Sequence, residues 1–183
     1  MPDGDTKTAR APQVFVSDAV HVVRTAQTIQ YQLSQMADQK ASMLLGITFV
    51  IFTLSIGQAK AGNVPAPPVL ILAGAAFLAA TLTVLAVLPS VKAPPPSPDG
   101  RNLLFFGAFS QISEDAFVEA VLARLADPRA AYAIMVRDMY QNGRVLARKK
   151  YRLLGYAYRV LLAGLFLSLA AFVAPLLMRL AGA

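Results

Sequence analysis

Residues Val69–Leu88 read VLILAGAAFLAATLTVLAVL, without one charged side chain. Two similar runs lie on either side, ASMLLGITFVIFTLSIGQ at Ala41–Gln58 and VLLAGLFLSLAAFVAPLLM at Val160–Met178. Each is close to the roughly 20 residues that a helix needs to cross a bilayer core. A soluble domain of this size rarely holds one such run. Three of them indicate an integral membrane protein and set aside most enzyme classes.

Composition agrees. The chain has 183 residues, of which 56% are hydrophobic and 15% charged, and its mean hydropathy is +0.53. That balance suits a small multi-spanning protein rather than a globular enzyme. Roughly 120 residues remain outside the three runs, enough for a small helical module and too few for a separate catalytic domain of usual size. The formal net charge of +7 points first to orientation and anionic lipid, and only then to nucleic acid. With no cysteine, neither a disulfide framework nor thiolate chemistry is open to the chain. The polar segment Met1–Gln13 precedes the first apolar run by too much for a cleavable signal peptide, so insertion is expected to use the spans themselves.

Lysine and arginine concentrate on the cytoplasmic side of a span. Ten of the 17 lie between Val91 and Gly155, whereas the loop Ala59–Pro68 holds only Lys60. The expected topology therefore has the N-terminus and 91–155 in the cytoplasm, a short Gly/Pro loop outside, and the C-terminus outside. Arg179 dissents alone. Arg148, Lys149 and Arg152, with Tyr156, Tyr158 and Arg159 at the inner mouth of the third span, are expected to anchor the chain at the membrane surface.

The expected fold is an all-α membrane protein with three transmembrane helices and a small cytoplasmic helical module. Residues 1–16 read as a disordered N-terminus. Ser17 or Asp18 can cap a cytoplasmic helix over 17–40 that runs into transmembrane helix 41–58. Its apolar positions step by fours and threes through Phe15, Ala19, Val22, Ala26, Ile29, Leu33 and Met36, a heptad seam that places Lys40 and then Met43 next. Transmembrane helix 69–88 ends at Pro89. Residues 89–112 combine a stiff Pro-rich linker, Pro94–Gly100, with the short apolar run NLLFFG at 102–107. Cytoplasmic helices are expected over 113–155. Ser113 starts one, with Glu114 and Asp115 in its first turn; Asp127-Pro128 stops it and starts the next. That last helix carries a second seam, Tyr132, Val136, Met139, Gly143, Leu146, Lys150 and Leu153, into transmembrane helix 160–178. The simplest packing lays the extensions of the first and third spans together, with the Ser113 helix completing a bundle.

Catalytic chemistry is not expected. The single histidine, His21, reads as a surface residue. No Cys/His cluster has metal spacing, so no metal is expected, and no phosphate loop follows a strand. The acids Glu114, Asp115 and Glu119 suit a helix N-terminus better than a carboxylate pair. The basic run Arg144, Arg148, Lys149, Lys150, Arg152 can serve topology and anionic headgroups, at about 1 kcal/mol per cation. The alternative is a receptor for a phosphorylated small ligand, with cations for phosphate, an aromatic face for a ring and an amide for a base edge. Lys40, Lys150, Tyr151, Phe105, Phe106 and Asn102 could supply these.

Three ordered stretches carry a family resemblance. They are ADQKASMLLG at 37–46, NLLFFG at 102–107, and KKYRLL at 149–154 followed by Ala157-Tyr158. In these and in membrane layout the chain resembles the small membrane effectors of Pycsar, a bacterial anti-phage system. The likeness runs from about Val22 to Leu165. It implies an effector that responds to cyclic CMP or cyclic UMP from a partner pyrimidine cyclase. Such an effector impairs the inner membrane, causing abortive infection. The pair Asp38/Lys40 and Asn102, Phe105, Phe106, Lys150 and Tyr151 match the family pattern. No β-barrel nucleotide-binding domain is recognisable, so the helical module is the candidate site. The expected partners are membrane lipid, the cyclic nucleotide and further copies of the chain in a homo-oligomer, with no cofactor and no nucleic acid polymer.

Two other readings use the same residues. A non-enzymatic regulatory subunit would recruit a protein through its cytoplasmic seams. An ungated pore fits less well, because the spans lack the buried charge that marks an ion path. The small residues Gly46, Gly57, Gly74, Ala75, Ala76, Ala79 and Ala80 are expected to permit close contacts between spans.

Overall fold

The computed structural model describes residues 18–62, 66–89 and 102–182. The expected N-terminal segment 1–16, the Ser17 cap and the linker Pro94–Gly100 lie outside the described residues. Those described are 90% helical and contain no strand, so the all-α architecture holds. Helix α1 runs Ala19–Ala61, α2 Ala66–Val87, α3 Phe106–Phe109, α4 Glu114–Leu125 and α5 Pro128–Val145; a π-helical segment, Leu146–Tyr151, leads into α6, Arg152–Ala181. Three helical stretches are long and apolar enough to cross a membrane, Ala19–Ala61, Pro67–Val87 and Pro128–Ala181. The first and third run far beyond their apolar segments into polar sequence.

The described residues fall into two compact units, one within 1–28 and 93–138, the other within 29–92 and 139–183. In the first, Ser113 caps α4 by accepting a bond from the Ala116 amide. The Asp127 carboxylate accepts from the Arg129 amide at 3.0 Å and so caps α5, with Pro128 as the first helical residue. Phe109 and Phe117 tie α3 to α4, ring centroids 5.0 Å apart. Helix α4 buries none of its residues; Val118, Leu122 and Leu125 are exposed.

The second unit is a three-helix bundle built on small side chains. Ala37, Ala41, Leu44, Thr48 and Ser55 of α1 are buried. So are Ala76, Ala79, Thr83 and Ala86 of α2, and Leu154, Ala157, Leu161, Gly164 and Ser168 of α6. Two clusters hold the helices together, one around Ala37, Ala41, Ala86, Leu146 and Leu154, the other around Leu44, Ala79, Ala157 and Leu161. The steps are again threes and fours, the period of a left-handed bundle. Buried hydroxyls satisfy themselves on backbone. Thr48 donates to the Leu44 carbonyl at 2.8 Å, Thr83 to the Ala79 carbonyl at 2.7 Å, and Ser168 of α6 crosses to the Pro68 carbonyl of α2 at 2.8 Å. In lipid an unpaired hydroxyl has no water to turn to. Beyond Ser55 and Ser168 the helices part around an apolar cavity of about 440 Å³ that reaches Gln58 and Phe172.

The α1 seam is displaced by one residue from the expected one. Ile29, Met36 and Met43 are about half exposed and Lys40 is exposed, while Ala37, Ala41 and Leu44 are buried. The period is right and the face is not. From Ala41 onward, lipid tails are as apolar as leucine, so burial selects for close approach and favours small residues. On the second seam Leu146 is buried and Met139, Gly143, Lys150 and Leu153 are half-buried, but Val136 is exposed. The extensions of the first and third spans do pack together, through Ala37 and Ala41 against Leu146 and Leu154.

Gly62 ends α1 at a φ of +67°, the left-handed conformation that a side chain resists. Gly164 marks the tightest approach: a Cβ there would stand 2.0 Å from the Ala75 Cβ of α2. Gly46, Gly57 and Gly74 face open space instead. Replacing Gly164 by leucine should therefore destabilise the bundle by about 1–3 kcal/mol, the range for overpacking a filled core. Gly74→Ala should leave the melting temperature in detergent unchanged or slightly raised. Equal melting of the two variants would contradict this packing.

Candidate functional site

Three consecutive residues of the π-helical segment, Lys149, Lys150 and Tyr151, each reach a neighbouring helix. A π-helix closes i→i+5 bonds and carries a wider turn than an α-helix; it often marks a functional position. Here the wide turn presents adjacent side chains to two partners at once. Lys149 Nζ donates to the Leu88 carbonyl at 2.6 Å. It thus places a cation at the C-terminal end of α2, where the helix dipole is negative.

Lys150 turns to α1. Its ammonium donates to both oxygens of Asp38, at 2.7 and 2.8 Å, and to Ser34 Oγ at 2.8 Å. An ammonium has three donors, and all three have acceptors. The side chains of Lys150 and Asp38 are 20% and 50% exposed, so solvent reaches the carboxylate far more than the amine. An ion pair open to water in this way contributes on the order of 1 kcal/mol. Tyr151 Oη adds a bond to the Leu33 carbonyl of α1 at 3.2 Å. Gln30 and Gly143 continue the same contact away from the apolar runs, the amide nitrogen lying 3.1 Å from where a Gly143 Cβ would stand.

The contact lies at the mouth of the spans. Ser34 and Asp38 are one turn apart on α1, and the uncharged run begins three residues later at Ala41. Lys150 likewise precedes the third apolar run on a continuous helix. Whatever changes at this ion pair acts on α1 and α6 before either becomes fully apolar.

Of the six proposed ligand residues, Lys150 and Tyr151 belong to this cluster. Lys40 is exposed on the outer face of α1 and makes no ion pair among the described residues. Asn102 lies in the other unit, where it shapes a turn. Its Oδ1 accepts from the Leu104 amide at 3.0 Å, and its Nδ2 donates to Asp138 of α5 at 3.1 Å; both residues are buried. This Asx-type turn pins the NLLFFG run to α5. Phe105 precedes α3 and Phe106 begins it, their rings 5.1 Å apart, with Phe106 exposed and Phe105 half-buried. Arg148, Arg152, Tyr156, Tyr158 and Arg159 are exposed, whereas Lys149 is half-buried at the end of α2.

Ser34 and the carbonyls of Leu33 and Leu88 join the cluster without having been singled out by sequence. Ser34 and Asp38 had one usable signal. They are polar, spaced i, i+4, and sit directly beside the small pair Ala37 and Ala41 that proves to be the buried face. Among the described residues no group of His, Asp and Glu gathers as a metal site.

No curated protein and no solved structure matches the chain significantly. A family model described as the Pycsar effector protein domain matches residues 21–177, which takes in all three spans, the π-helical cluster and the Asn102 turn. The chain belongs to the family of transmembrane Pycsar effector domains.

Proposed function

We propose that this protein is a non-enzymatic, ligand-gated effector. It responds to a cyclic pyrimidine nucleotide, cyclic CMP or cyclic UMP, made by a partner cyclase, and it impairs the inner membrane so that infection aborts. Family membership supports the defence role. The observation that supports the gating is the Lys150 contact: an ammonium saturated by a half-exposed carboxylate that lies one turn ahead of the first span.

The chemistry is anion exchange. A cyclic nucleotide carries one phosphodiester charge and several acceptor oxygens. It can take the Lys150 donors in place of Asp38 and Ser34, with charge-assisted bonds that favour the complex. Asp38 is then freed, and α1 loses its ion pair to the π-helical turn. The ligand must bind the released arrangement better than the tied one, or nothing shifts. The inner ends of α1 and α6 then re-pack, and the disturbance continues into helices that have no break before the apolar runs. The positive-inside distribution supports a cytoplasmic side for this cluster, with 91–155 and the N-terminus, where a cyclase product is available.

A docking subunit remains the second reading, favoured by the exposed apolar residues Val118, Leu122 and Leu125 of α4. Dye release from liposomes separates the two. The effector reading expects release with cyclic CMP or cyclic UMP, and none with cyclic AMP or without nucleotide. Intact vesicles under all conditions, from correctly inserted protein, would favour docking. Two variants locate the gate. Asp38→Asn removes the competing charge and should lower the half-maximal nucleotide concentration several-fold. Lys150→Met should abolish the response while leaving insertion unchanged. A fully responsive Lys150→Met protein would place the ligand elsewhere.

A further inference from the structure

The outward face of α1 carries a second heptad register, as regular as the buried one. It passes through Ile29, Leu33 and Met36, then Lys40, then Met43, Ile47 and Val50, in alternating steps of four and three. The apolar members are 38–58% exposed. Within the uncharged run such exposure is ordinary, because lipid covers it. Before the run it is not. Ile29, Leu33 and Met36 are interleaved with the exposed Gln32, Gln35 and Gln39, a surface that faces water.

One register crosses this boundary without a slip. A soluble partner could cover only its first part, and lipid only its second. The partner must be a helix that is polar-flanked below the apolar boundary, apolar above it, and in step with α1 at every depth. A second α1, inserted in the same direction, meets each condition by construction. The flanking positions on one side, Gln32, Gln39, Gly46 and Thr53, bear no charge, so two such faces meet without flank repulsion. Gly46 has nothing within 4 Å of the place a Cβ would occupy, which leaves room for close approach.

We propose that two copies of this chain pair in parallel through the outer seam of α1, an isologous contact about an axis along the membrane normal. Lys40 is the one charged position on this stretch of the seam. A single polar residue at a core position sets register and oligomer state at a cost in stability. Two facing Lys40 ammoniums repel, so the pairing is weak and reversible, and an apolar residue at 40 strengthens it. The proposal stands apart from nucleotide gating and needs no ligand.

The absence of cysteine makes the test clean. A single cysteine cross-links to itself only where a residue meets its own copy, as in a parallel symmetric pair. Full-length Met36→Cys and Met43→Cys lie on the seam; Gln35→Cys and Ser42→Cys are also exposed on α1 but lie off it. After mild oxidation in native membranes, the two seam variants should form covalent dimer and the two off-seam variants several-fold less. Adding Lys40→Met to the seam variants should raise the dimer fraction further. Equal cross-linking at all four positions, or none at the seam even with Lys40→Met, would overturn the pairing.

Discussion

The bundle depends on one constraint: its three helices must touch at side chains small enough to let their backbones approach. Gly164 against Ala75 is the tightest point, and the buried alanines of α1, α2 and α6 extend it along the spans. In water a helix buries its largest apolar residues because solvent expels them. In lipid that drive is absent, and packing with internal hydrogen bonding decides. The molecule is accordingly built with its bulk outside. Phe49 and Phe166 are about 70% exposed, while alanine, glycine, threonine and serine make up most of the interior beside Leu44, Leu154 and Leu161.

At one end of that bundle the physics changes within a turn. Below Ala41 the same helices leave apolar sequence and are tied by polar contacts drawn from a single π-helical turn. Lys149 closes the end of α2 and Lys150 ties α1 through Asp38 and Ser34. The small-residue contacts above are shape-dependent and hard to alter in part. The ion pair below is partly solvated. A bundle tied at one end by such a pair is the arrangement on which the proposed gating rests.

Much of the fold was legible in the sequence, because span length and lack of charge are direct statements about a bilayer. The capped helix at Ser113 and the Asp127-Pro128 restart were also legible, since caps are local chemistry. The α1 seam has the right period and the wrong face: the stepping of apolar positions picks out Ile29, Met36 and Met43, whereas Ala37, Ala41 and Leu44 are buried. The π-helical segment has no sequence signature in LARKKY, so the reach of Lys149 and Lys150 to different helices could not be read. The family pattern sets Asp38 beside Lys40. Its ion-pair partner is Lys150, 112 residues away, a contact that appears only once the helices are packed. Asn102 carried no local signal of its bond to Asp138, for the same reason.

The central claim is that nucleotide opens the contact between α1 and the π-helical turn. Pulsed electron paramagnetic resonance between spin labels on exposed Gln35 of α1 and exposed Arg152 at the start of α6 reports it directly, and the cysteine-free chain allows clean labelling. A label-to-label distance that changes with cyclic CMP or cyclic UMP, and not with cyclic AMP, is the result this account predicts. One unchanged distance distribution, in protein shown to have bound the pyrimidine nucleotide, would contradict it.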